Sequence, residues 1–303
     1  MAISRSQLVK ELEPGLNALF GLEYKRYENQ HAEIYAEESS DRAFEEEVML
    51  SGFANAQVKG EGAGVSFDEA QETFTARYTH ETVALAFAIT EEAIEDNLYD
   101  RLASRYTKAL ARSMSNAKQV KSVEPLINGL PSTATFKTGD GVSLFNKDHP
   151  TIAGTFANTL QTQADLNETS LEQSMIDIAK MTDERGLKVA ARGVKMIVPS
   201  ENQFNSERLM KSAGRTVTAD NDINAIASMG MIPQGYRVNN FLTDADSFYI
   251  ITDVPNGMKY FNRAPLTTAM EGDFDTGNVR YKARERYAFG ASDPRGIFGV
   301  EGA

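Results

Sequence analysis

The stretch "TEEAIEDNLYDRLASRYTKALARSMSNAKQVKSVEP", residues 90–125, reads as one long helix. Thr90 is a good N-cap, and Glu91, Glu92, Glu95 and Asp96 sit in the first turns, where carboxylates favour the helix dipole. Arg101, Arg105, Lys108, Arg112 and Lys118 come later, toward the negative end. Ile94, Leu98, Leu102, Tyr106, Leu110 and Met114 recur every four residues, which makes one apolar stripe. No Gly or Pro interrupts the stretch before Pro125. At ~1.5 Å per residue, about 30 residues span roughly 45 Å. Helices of globular domains average ~11 residues, so this one is a structural beam whose stripe needs a cover.

The obvious cover is the β-rich segment 265–299. Its core, "RYKARERYAFGASDPRGIFG" at 280–299, alternates with period two. Arg280, Lys282, Arg284 and Arg286 fall on one face, and Tyr281, Ala283, Glu285, Tyr287 and Phe289 on the other. Four cations in a row stand out in a chain of net charge −12. They could hold nucleic acid, an acidic substrate or an acidic surface of another subunit. The overall field opposes tight polyphosphate binding. An ion-pair surface for a neighbouring subunit is the favoured reading; DNA contact and a solvated face are the alternatives. "EESSDRAFEEE" at 37–47 and "EGAGVSFDEAQE" at 61–72 offer the counter-charges.

Upstream of the helix, "ETFTARYTH" and "VALAFAI" alternate like strands, and "VMLSGFANAQVKGEGAGVSF" carries a glycine-rich tip at Gly60, Gly62 and Gly64. Residues 48–90 therefore read as a two-stranded excursion with Lys59 and Glu61 at its tip. A two-stranded ribbon is only marginally stable in water, so it must rest on a neighbouring molecule. The first 47 residues read as an arm: two short helices around Pro14 and Gly15, then an acidic run with few apolar anchors. Downstream, residues 127–160 read as a long loop. Thr169 and Glu172 form a capping box for a helix with Met175, Ile176, Ile178, Ala179 and Met181 inward. "GVKMIVPSENQFNSERLM" reads as strand, turn and helix, and "SFYIITDV" as a buried strand. This alternation between 126 and 260 predicts a second compact α/β unit.

The chain's 303 residues, 41% hydrophobic and 24% charged, fit one large globular domain or two. With no cysteine, disulfides and thiolate metal sites are excluded. There is no signal-peptide run and no stretch of 18 apolar residues, so no membrane partner is expected and the cytoplasm is the expected site of folding. His31, His80 and His149 lack metal-ligand spacing and read as solvated or locally bonded. "GEGAG" at 60–64 matches neither a dinucleotide nor a Walker loop, "NDIN" at 221–224 is too sparse for calcium, and no nucleophile elbow occurs. No catalytic, cofactor-binding or metal residue is assigned.

The element order resembles the major capsid proteins of tailed bacteriophages, the Hong Kong 97 fold. "SLFNKDHP" at 143–150 looks like a phrase of Mu-like major head subunits. "VKMIVPSENQFNSERLM" at 194–210, "INAIASMGMIPQGYRVNNFLTDADSFYIITD" at 223–253 and "GASDPRGIFG" at 290–299 are similar to further family segments. The resemblance implies an α+β chain with an N-terminal arm (1–47), an E-loop (48–90), the spine helix of the P-domain (91–125), an A-domain (126–264) and returning P-domain strands (265–303). It implies a homo-oligomer of pentamers and hexamers closing an icosahedral shell around double-stranded DNA, bound by weak non-specific contact. Assembly would be in the bacterial host cytoplasm and the final location the virion. No extra helical segment precedes the arm and the chain starts with Met1, so a separate scaffolding protein is expected, with a portal, and a decoration protein is a further candidate partner. Some relatives cross-link an E-loop lysine to a neighbour; Lys59 is the lysine within 48–90, and nothing around it marks a catalytic partner. An encapsulin-type compartment shell of the same fold is the alternative, and a soluble enzyme a more distant one. The inter-subunit candidates are Lys59, Glu61, Arg280, Lys282, Arg284 and Arg286.

Overall fold

The long helix, α2 below, spans Tyr99–Asn128. The computed structural model describes residues 5–90, 92, 99–214, 222–273 and 277–303, without the side chains of 5–13 and 99–102. Glu91, Ile94, Glu95, Asp96 and Leu98, and the Leu102 side chain, lie outside the described residues. The helix runs three residues past Pro125, which lacks the N–H that would bond the Lys121 carbonyl. Leu110 and Met114 are buried as expected, whereas Tyr106 is 48% exposed. The line facing the core is Ala103, Thr107, Ala111, Ser115 and Gln119, small or polar side chains spaced by four. Tyr106 flanks that line and meets the Phe87 ring at 5.7 Å.

The expected cover is present. A four-stranded sheet has the order β1-β10-β11-β4, with β1 Ala36–Ser39, β4 Glu81–Ile89, β10 Met258–Gly272 and β11 Val279–Ala291. Leu110, Ala111 and Met114 of α2 pack on Tyr281 and Ala283 of β11. Residues 5–24 form one helix, α1 (Arg5–Tyr24), rather than two, with Pro14 inside it. Leu16 and Phe20 bury it against the same cluster, and packing of this kind outweighs the weak local propensity.

Three expectations change here. The 48–90 segment is not one ribbon: β2 (Phe44–Leu50) pairs with β3 (Glu72–Thr79), while β4 pairs with β11 from Glu81↔Tyr287 to Ile89↔Val279. Of the apolar row, Val83, Phe87 and Ile89 are half-buried against the helix-facing core, whereas Leu85 between them stays 48% exposed. The acidic run after residue 33 is partly anchored: Ile34 and Tyr35 are buried, and β1 runs parallel to β10. Finally, β10 begins at Met258, and β12 (Ile297–Val300) leaves for a second sheet.

That second sheet has the order β12-β9-β7-β8, with β7 Gly193–Val198, β8 Tyr236–Val238 and β9 Phe248–Thr252. Helices α3 (Glu168–Lys180), α4 (Gln203–Lys211) and α5 (Ala225–Met229) accompany it. The α3 cap is Asn167 with Ser170, in place of Thr169 with Glu172: each side chain of that pair bonds the other's backbone. The shift turns Leu171, Met175 and Ile178 inward and leaves Ile176 and Ala179 exposed. The loop 127–160 holds a short hairpin, β5 (His149–Thr151) and β6 (Gly154–Phe156).

Two of the phrases read in the sequence meet between the sheets. Asn158 Nδ2 donates to Leu144 O at 2.7 Å and Pro294 O at 2.9 Å. His149 is fully buried, with Nδ1 at 2.6 Å from Asp140 and Nε2 at 3.0 Å from Asn158 Oδ1. Gly299 has no room for a Cβ, which would fall 2.6 Å from the Phe145 ring. All three histidines are buried and hydrogen-bonded, none solvated. Among the described residues no helix is long and apolar enough to cross a membrane.

Candidate subunit interface

The β2–β3 ribbon ends in an irregular, largely exposed loop, residues 51–71, tied to the body near its base by Arg185, which donates to Glu69 O at 2.6 Å. Its neck is closed by Ser51 N to Gln71 O at 2.8 Å and Gln71 N to Ser51 Oγ at 2.9 Å. Asp68 accepts from the backbone N–H groups of Ala54 and Glu69, which hold its carboxyl below the usual range. Past these bonds the loop exposes large apolar side chains: Phe53, Val58, Val65 and Phe67, the last 98% open. Exposed apolar groups in that density make the loop a candidate contact surface. Lys59 and Glu61 lie at the tip, fully in water.

The ribbon's base is fixed more firmly than its tip. Lys259 of β10 is buried at 7% and reaches Glu38 of β1 at 3.0 Å as well as Glu47 of β2. Burial works against its charge, but the bonds to Glu47 and Glu38 outweigh that and raise its pKa. Glu47 also accepts from Ser292, whose hydroxyl meets Tyr78 OH at 2.5 Å. A side chain at Gly290 would strike the Tyr78 ring, at 2.6 Å. A single residue, His80, separates β3 of the ribbon from β4 of the sheet. Its Nε2 lies 2.9 Å from Ser40 Oγ, and its Nδ1 has no hydrogen-bond partner among the described residues.

The sheet face turned away from α2 carries the basic row. Strand β11 alternates as the sequence predicts: Tyr281, Ala283, Glu285 and Tyr287 are buried, while Arg280, Lys282 and Arg284 are exposed and Arg286 is half-buried. Cross-strand register gives the row its flanks. On the β4 side Arg280, Lys282, Arg284 and Arg286 face Ala88, Ala86, Ala84 and Thr82. On the β10 side they face Glu271, Ala269, Thr267 and Ala264. The cations therefore stand as a ridge between rows of mostly small side chains. Arg280 is ion-paired to Asp273. Lys282, Arg284 and Arg286 form no ion pair among the described residues. Lys59 and Glu61 are not brought to this row within one subunit.

Sequence reasoning missed the buried charges. Arg295 donates to Glu184 at 2.6 Å and Thr182 O at 2.8 Å and lies over the Phe156 ring. Glu285 accepts from Tyr24 and Lys118. One signal was visible: Glu285 occupies a buried-phase position on an otherwise apolar strand face.

Residues 72–300 match the family model described as phage capsid protein. No curated protein matches the chain by sequence. Among solved structures, a virus-like particle from Pyrococcus furiosus is similar at 11% identity and TM-score 0.51, covering 94% of this chain and 98% of that one. A structure of Mycobacterium phage Ogopogo is similar at 12% identity and TM-score 0.54, covering 91% and 92%. The capsid of Myoviridae phage XM1 is similar at 10% identity and TM-score 0.51, covering 89% of each.

Proposed function

Because this chain belongs to the phage capsid protein family, we propose that its ribbon loop and basic sheet face are the two halves of a contact repeated between subunits. The chain is a major capsid protein of the Hong Kong 97-type fold, a structural protein of the virion that forms a homo-oligomeric shell. The compartment-shell alternative has less support, since the Pyrococcus particle shares the fold at 11% identity only.

In this reading residues 1–47 are the arm, the ribbon and its tip the E-loop, α2 with the β1-β10-β11-β4 sheet the P-domain, and the β12-β9-β7-β8 unit the A-domain that rings the pentamer and hexamer axes. The strand β4 counts with the P-domain, because its partner is β11. A scaffolding protein, a portal, a decoration protein and double-stranded DNA are the further partners, with assembly in the host cytoplasm. The observation that supports the contact is its geometry. An exposed loop bearing Glu61, Asp68 and Glu69 faces outward, and the row of Lys282, Arg284 and Arg286 meets no carboxylate among the described residues. Such a contact excludes water and lowers the local dielectric. One exposed pair contributes only ~0–1 kcal/mol, so the effect depends on repetition over the shell.

The test is charge reversal, Arg284→Glu with Arg286→Glu, and assembly without DNA. Loss of empty shells is expected. Normal empty shells that fail only in genome packaging would move these residues to the DNA.

A further inference from the structure

The helix α2 carries a second basic surface, on the opposite side of the P-domain from the β11 ridge. Residues 101–123 hold Arg101, Arg105, Lys108, Arg112, Lys118 and Lys121 and no carboxylate at all. Two of these are used internally: Lys118 pairs with Glu285, and Lys121 with Glu81 and Glu124. Arg105, Lys108 and Arg112 are exposed and have no ion pair among the described residues. Their spacing of three and four puts them on one line along the helix, continued by the exposed Ser113 and Asn116. At ~1.5 Å per residue the three cations span about 10 Å.

We infer that this stripe is the surface the shell turns toward the phosphate backbone of its packaged double-stranded DNA. The inference rests on the shell reading above. With the β11 ridge occupied by a neighbour, the α2 stripe remains as the open basic surface on the other side of the same layer. Its composition selects the partner class. Backbone contact needs only charge and hydroxyl or amide donors, and carries no sequence information. Arg105, Lys108, Arg112, Ser113 and Asn116 supply those donors. A docked acidic peptide would need a row of apolar anchors, and the stripe offers only Ala109 within it and Tyr106 and Val120 at its margins, with Tyr106 already engaged by the Phe87 ring. The chain's net charge of −12 does not forbid this. Charges beyond a Debye length of ~8 Å are largely screened at physiological salt, and α2 has no acidic residue between Asp100 and Glu124.

The experiment measures binding of the full-length, unassembled chain to a random-sequence DNA duplex as salt is raised, alongside shell formation without DNA. Three phosphate contacts give a salt slope of about −2.7, or about 40-fold weaker binding between 50 and 200 mM salt. Arg105→Gln/Lys108→Gln/Arg112→Gln should abolish that slope and still form empty shells. Lys108→Gln alone should reduce it by about 0.9. The inference is overturned if the triple variant keeps the wild-type slope, if Arg284→Gln/Arg286→Gln removes it instead, or if the stripe binds polyglutamate and not the duplex. Loss of empty shells in the triple variant would place the stripe at a subunit contact and also overturn it. Shell formation is measured with a scaffolding protein co-expressed; a wild-type chain that forms no shell even then refutes the shell reading, and the duplex slope of the unassembled chain then decides this inference by itself.

Discussion

Lys118 Nζ lies 3.1 Å from Glu285 Oε2, joining α2 to β11 through a pair almost sealed from water. Tyr24 of α1 donates to the other carboxylate oxygen at 2.8 Å, so arm helix, spine helix and sheet converge on one carboxylate. The Lys118 ammonium also lies 5.0 Å from the Tyr260 ring. Removing one member of such a pair leaves a buried charge unmatched. Lys118→Met should therefore cost about 3–5 kcal/mol, and Lys118→Met/Glu285→Met well under the sum of the two single changes. Urea unfolding of the unassembled chain checks this; additive losses would show that the pair is uncoupled.

His31 sets an acid limit on stability. Gln119 accepts from the His31 backbone N–H and turns its amide nitrogen to His31 Nδ1, both at 3.1 Å, which suits the neutral ring. Burial, with the Lys118 charge, pushes the His31 pKa down from 6.5 to about 4. The unfolded chain takes up this proton first. The contribution is complete above about pH 6.5 and is lost as pH falls toward 4, to a limit of about 3 kcal/mol. His31→Gln should flatten that limb of the stability curve; an unchanged curve would assign it elsewhere.

Leu110 is 4% exposed against Tyr281 and Ala283. Leu110→Ala should cost about 2–5 kcal/mol by thermal or urea unfolding. Tyr106→Ala, at 48% exposure, should cost markedly less. Equal losses would mean that the helix presents a different face to the sheet.

What the sequence disclosed, and what it hid, follows from the range of each signal. The helix and the β11 alternation are local signals and both are present, but of the apolar stripe read on α2 Leu110 and Met114 are buried and Tyr106 is not, since the helix turns its line of small and polar side chains to the core. The partner of β4 is not local: "VALAFAI" reads equally well as a ribbon strand or a sheet strand, and pairing with β11, some two hundred residues away, decides it. The buried charges Lys259, Arg295 and Glu184 are invisible for the same reason, since their partners come from distant segments. For the interface, the β11 row was legible as a pattern. Its flanks of alanine and threonine needed the register.

The loop tip should be dispensable for folding and essential for assembly. Residues 57–66 are exposed throughout, so deleting them removes no buried contact within the subunit. The shortened chain should keep its unfolding midpoint and fail to form shells by sedimentation or negative-stain microscopy. Normal shells would show that the loop makes no essential subunit contact.

The ribbon's base should be the opposite case, where a change inside one subunit is read out between subunits. Lys259 lies between Glu38 and Glu47, so Lys259→Met leaves two carboxylates facing each other without a cation. Charged hydrogen bonds of this kind contribute about 1.5–3 kcal/mol, and the loss falls where β2 meets the sheet. Because the Lys259 pKa is raised, the wild-type contribution is complete below the unfolded value near 10.5 and fades as pH rises through the folded value. Amide exchange in β2 and β3 should quicken in Lys259→Met while α2 and β11 stay protected, the signature of local opening. Assembly should weaken with it, since a ribbon free to swing presents its loop in many directions and loses orientation entropy on docking. Adding Glu47→Gln removes the repulsion and should restore part of the assembly yield. If exchange in the ribbon is unchanged, the base is held by Tyr78, Ser292 and Gly290 packing, and Lys259 is not the clamp.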